Sequence, residues 1–165
     1  MDFYRGNNKA ESNYGFKYKD INSQECRFHA LYLVDNETGS LFVSNRYSDN
    51  IRFLRDDLIC GFLKAISQFI SELKEGVSEE LQEINFRNTR ILYERKGRLL
   101  AIAITKKSNL QIERGILHEI VQDFYFRFKG FINNFNGEIK KEVIGYKKRL
   151  KSINLNSLFR YNTQI

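Results

Sequence analysis

The run Leu99–Ile104, LLAIAI, contains no polar residue, and no other stretch constrains this chain as tightly. Successive side chains of a strand point to opposite faces, so a strand that is apolar at every position must be covered on both. The mixed run Arg90–Glu94 precedes it, and Arg95-Lys96-Gly97 punctuates the two. The pattern predicts a hairpin whose second strand is central and buried. The rest of the chain must supply two covering layers.

Those layers are legible along the sequence. RFHALYLVD (27–35) predicts a continuous apolar strand, NETG (36–39) a turn and SLFVSNRY (40–47) its partner. A helix opens at Asp56 or Asp57, whose carboxylate would accept from the free N–H groups of the first turn, and closes at Gly76. Leu58, Phe62, Ile66, Phe69 and Leu73 recur at helical spacing, and Ile59, Leu63 and Ile70 widen the stripe. A stripe so broad predicts a helix lying against a sheet. Short strands follow at 81–86, 90–95 and 98–106, with turns marked by Asn88 and Lys96-Gly97. A second helix is predicted from Gln111 to Phe135, where NNFNG breaks it. A third, from Glu138 to Lys151, sets Ile139, Val143, Tyr146 and Leu150 on one face and its lysines on the other.

The order is ββαβββαα. It predicts an α+β fold in which a five-stranded antiparallel sheet carries one helix on one face and two on the other. Strands 40–47 and 81–86 then form its edges. Residues 1–25 show no structural period and are expected to be a flexible extension; 26–151 form the domain, and 152–165 a tail.

Chemistry-bearing patterns are scarce. Cys26 and Cys60 belong to no Cys-x-x-Cys pair, and two histidines make a zinc site improbable, so two reduced, largely buried thiols are expected. His29 sits inside a strand, and His118 on a helix near Glu113, Glu119 and Asp123; both fit structural or solvated roles better than catalytic ones. TKKSN (105–109) lacks the glycines that let backbone N–H groups surround a phosphate. No catalytic residue, metal ligand or cofactor is expected, and the chain is read as not an enzyme. No apolar run reaches the ~20 residues of a membrane-spanning helix, and the first twenty residues lack the apolar core of a signal peptide. The expected compartment is the cytoplasm.

The net charge of +7 is unevenly placed: residues 138–165 hold seven Lys or Arg against two Glu. Lys140, Lys141, Lys147, Lys148, Arg149 and Lys151 are the candidate contacts with an anionic surface, and Leu155, Leu158 and Phe159 the apolar residues beside them. The lysines are not interleaved with stacking aromatics, and an RNA-recognition domain would run βαββαβ, so nucleic acid is not expected as a partner.

ALYLVDNETGSLFVSNRY, DDLICGFLKAISQFISEL and INFRNTRILYERKGRLLAIAITKK, in that order, resemble the small longin-like proteins of the roadblock/longin superfamily, which are numerous in archaea of the Asgard type. The resemblance covers about residues 27–151. It implies a non-enzymatic module that pairs with itself or a related longin or roadblock subunit. It further implies a platform for small Ras-like GTPases or vesicle-trafficking complexes. Unpaired edge groups invite pairing, so a homo- or heterodimer is expected through the first helix and the edge strand carrying Leu81, Glu83, Ile84 and Phe86. The alternative function is a peripheral module on an anionic membrane, held by the basic third helix.

Overall fold

The structure, a computed structural model, describes residues 9–11, 17–21, 28–48, 55–73, 80–152 and 158–161. In chain order the elements are β1 (Lys9–Glu11), β2 (Lys17–Ile21), β3 (Phe28–Asp35), β4 (Leu41–Arg46), α1 (Asp56–Leu73), β5 (Glu83–Asn85), β6 (Thr89–Lys96), β7 (Leu99–Lys106), α2 (Leu110–Asn133), α3 (Lys141–Ser152) and β8 (Leu158–Tyr161). The main sheet is antiparallel, in the order β4-β3-β7-β6-β5. The apolar strand β7 is therefore central, as its composition requires, and β4 and β5 are the edges.

Alternation along β7 divides the core into two layers. Leu99, Ala101 and Ala103 join the cluster beneath α2 and α3, whereas Leu100 and Ile102 join the cluster beneath α1. All five are buried; Ile104, expected to be buried too, is only partly so, packed against the α1-side cluster near the strand end. The two alanines take little space on the face where α2 brings Leu117, Val121 and Phe124. On the opposite face, register aligns Ser44, Tyr32, Ile102 and Tyr93 in one row across four strands. One helix on one face and two on the other is thus the observed architecture.

Aromatic contacts join the two-helix layer to the edge strand. Phe42 of β4 meets Phe135 edge-on at 5.0 Å, and Phe124 of α2 meets Tyr146 of α3 at 4.9 Å. Two tyrosine tips in this layer are paired: the Tyr146 hydroxyl donates to Asp123 (2.8 Å), and the Tyr47 hydroxyl to the Leu150 carbonyl (3.1 Å). Asn109 caps α2 by accepting from the Ile112 N–H at 3.2 Å. The helix kinks at Phe128, whose φ and ψ of −123° and 23° are non-helical.

The β6–β7 hairpin turns on two residues, Gly97 and Arg98. Gly97 has φ of +56°, and no other residue type takes positive φ among the described residues. That assignment fits a II′ turn, in which only the first central residue needs left-handed backbone. The turn delivers Arg98 to Asp35 at the end of β3, with Nε–Oδ1 of 2.6 Å. Asp35 is fully buried, and its carboxylate also accepts from the Thr38 N–H and hydroxyl. Two hairpins are thereby locked together at one end of the sheet.

A smaller antiparallel sheet, β1-β2-β8, joins segments from both ends of the chain. Strands of three to five residues are too short to leave a readable alternation. Gly76, Cys26 and Leu155, singled out in the sequence, lie outside the described residues.

Candidate interaction surface

The helix α1 is apolar over about half of its girth, and only part of that surface meets the sheet. Ile59, Cys60 and Leu63 are buried, with Ile66 and Ile70 partly so. The larger residues of the predicted stripe are turned outward: Leu58, Phe62, Phe69 and Leu73 are 54%, 56%, 61% and 65% exposed. At 3.6 residues per turn the two stripes are about 120° apart, so a single stripe of this helix cannot account for both. Polar tethers set the rotation. Asp56, one of the two carboxylates expected at the helix start, accepts from the Ser44 hydroxyl (3.0 Å) and Arg46 (3.2 Å) on β4. Lys64 donates to the Thr38 carbonyl at 3.3 Å. These contacts hold the Ile59 side against the sheet and leave the Phe62 side to solvent.

Beneath α1 the packing against the sheet leaves a cavity. This cavity of about 310 Å³ has Val34, Cys60, Leu63 and Leu100 in its wall and Lys64 and Arg95 among its polar lining. In the α1-side layer the Tyr93 hydroxyl is buried with no hydrogen-bond partner among the described residues. Burial pushes the Tyr32 hydroxyl up to about 12, and Tyr93 is raised by the same cause.

At the edge of the sheet opposite β4 lies β5, whose outer side has no partner strand among the described residues. The Tyr93 N–H donates to the Gln82 carbonyl and the Phe86 N–H to the Thr89 carbonyl. Antiparallel ladders alternate, so Ile84 bonds inward to β6 while Glu83 and Asn85 direct their N–H and C=O groups outward. The side chains alternate in the other sense. Ile84 and Leu81 pack with the α1-side layer, Phe86 is 52% exposed, and Glu83 pairs with Arg114 of α2 at 3.0 Å. The Asn85 amide and then Arg114 hold the Glu83 carboxyl below the usual carboxylate range. All four residues singled out in the sequence therefore stand at this edge, Leu81 just before the strand and Phe86 just after it.

The third helix presents its basic face as periodicity predicts, with one exception. Lys140, Lys141, Lys147, Lys148 and Lys151 are exposed, whereas Arg149 turns toward Asp123 of α2 at 3.6 Å. The sequence could not separate Arg149 from its neighbours, because the distinction depends on where α2 places Asp123. His118 pairs with Glu94 of β6 at 2.9 Å, a strand residue absent from its sequence neighbourhood. His29 is partly buried in β3 and its pKa is lowered, first by burial and then by Lys106. Among the described residues no group of three or more His, Cys, Asp or Glu is placed to hold a metal ion, and no helix is long and apolar enough to cross a membrane.

No family model and no curated protein matches the chain. Among solved structures, it is similar to Myxococcus xanthus MglB, with 16% sequence identity, coverage of 62% of this chain and 85% of that chain, and a TM-score of 0.49.

Proposed function

We propose that this protein is a non-catalytic interaction module that pairs with a second copy of itself through α1 and β5, forming a platform for a small Ras-like GTPase or a trafficking-type complex. The observation that carries the reading is the outward stripe of α1. Leu58, Phe62, Ala65, Phe69 and Leu73 are all exposed, at spacings of four, three, four and four residues. That spacing suits a seam between two helices, and the part of the apolar arc that the sheet leaves uncovered is a surface for such a partner. The free edge of β5 supports the same partner, since Glu83 and Asn85 offer an alternating row of donors and acceptors that an identical antiparallel strand would match. The GTPase follows from the longin-like resemblance of the sequence.

Phe62→Ala tests the helix half. An exposed aromatic anchor in a two-fold interface is worth about 2 kcal/mol, roughly thirtyfold in the dimer dissociation constant, with the fold unaltered. Equal association of the variant and the parent would remove α1 from the interface. Affinity capture with GTP- and GDP-loaded small GTPases from the source cell tests the platform half, and nucleotide-dependent retention is the expected result.

A further inference from the structure

The exposed face of α3 is a second surface with a different chemistry. At 3.6 residues per turn, Lys141, Ile144, Lys147, Lys148 and Lys151 fall within an arc of about 120°, and Lys140 is the residue just before the helix. The buried residues Val143, Tyr146 and Leu150 occupy another side. Ile144 lies in the middle of the arc and is 54% exposed. None of the five lysines makes an ion pair among the described residues. The nearby acids do not neutralise them: Glu142 lies round the helix from the arc, and Glu138 precedes the helix. Five uncompensated cations around one apolar side chain form a built surface, and Arg149 is excluded from it by Asp123.

We infer that this face binds the surface of an anionic lipid bilayer. Charge complementarity selects a polyanion, and the residue types select among polyanions. Lysine stems can lie along an apolar boundary while their ammonium groups reach headgroups, and a central isoleucine can enter that boundary. Phosphates of nucleic acid and carboxylates of a folded protein favour arginine forks and aromatic anchors, and the arc contains neither. The site stands on the single chain and goes beyond the proposed dimer. Were β5 to pair with its copy, the antiparallel pairing would have its two-fold axis perpendicular to the sheet. Both copies of α3 would then lie on the same face of the extended sheet and meet one membrane together.

The test is sedimentation of the full chain with vesicles of phosphatidylglycerol and phosphatidylcholine, against vesicles of phosphatidylcholine alone. Binding should require the anionic lipid and weaken steeply from low to physiological salt. Each lysine near such a surface contributes about fivefold in affinity, so combined Lys147→Gln, Lys148→Gln and Lys151→Gln substitutions should cost about a hundredfold. The corresponding Lys→Arg triple should retain binding, and circular dichroism should show all variants folded. Ile144→Ser should weaken binding severalfold at fixed salt. The Glu83→Pro variant, whose dimer edge is blocked, should still bind in a charge-dependent way, which separates this site from the dimer reading. Sedimentation that ignores lipid charge, binding unchanged in the glutamine triple, or retention of duplex DNA in place of vesicles would each overturn the inference.

Discussion

Asp35 shows how a single side chain organises one end of the sheet, and how its protonation should be felt. Burial alone would raise its pKa, but hydrogen bonds from Arg98 and Thr38 outweigh burial and hold it below its ordinary 3.8. A depressed carboxyl stabilises the fold above its unfolded value and loses that contribution as pH falls through the folded one. Asp35→Asn should therefore be less stable than the parent at neutral pH and show a flatter loss of stability below pH 4, read as urea midpoints. Tyr93 offers the opposite case, a buried hydroxyl with no partner among the described residues. An unsatisfied buried group costs about 1–3 kcal/mol, so Tyr93→Phe should be at least as stable as the parent, and a clear loss would reveal a partner for the hydroxyl. The raised phenols act on the alkaline side: their contribution is intact below the ordinary value of 10.0 and is lost as pH rises toward 12. None of these roles is visible in sequence, where Asp35 and Tyr93 look like any turn aspartate or strand tyrosine. Their partners are distant in the chain, Arg98 lying 63 residues from Asp35.

Helices and strands were more legible than their orientation. LLAIAI announced a central strand, and β7 has β3 on one side and β6 on the other. Ile102→Ala in that strand should cost about 2–5 kcal/mol in chemical denaturation; a loss below about 1 kcal/mol would belong to an edge position. Periodicity also placed Val143, Tyr146 and Leu150 on the buried side of α3, where they lie. It failed for α1 because two apolar stripes share that helix, and hydrophobic spacing says only that each wants cover. Which one meets the sheet is decided by tertiary contacts, Asp56 with Ser44 and Lys64 with Thr38, that have no local signature. The misassigned stripe is also the candidate surface. A helix that is more apolar than its own sheet requires is a sequence-level sign of a second partner, though it does not say which stripe that partner takes.

The sheet, its two edges and the division of helices between its faces are continuous with the sequence reading, while the partner is a proposal built on them. In that proposal α1 and β5 form the self-contact, and α3 lies on the other side of the sheet. Pairing through β5 uses the outward backbone groups of Glu83 and Asn85, so Glu83→Pro should remove one donor without touching the β5–β6 ladder. Sedimentation equilibrium of the parent and this variant at tens of micromolar is the most direct measurement. The parent should be dimeric, and Glu83→Pro should be a folded monomer. A parent that stays strictly monomeric, alone and mixed with longin-like or GTPase partners from the same cell, would contradict the account.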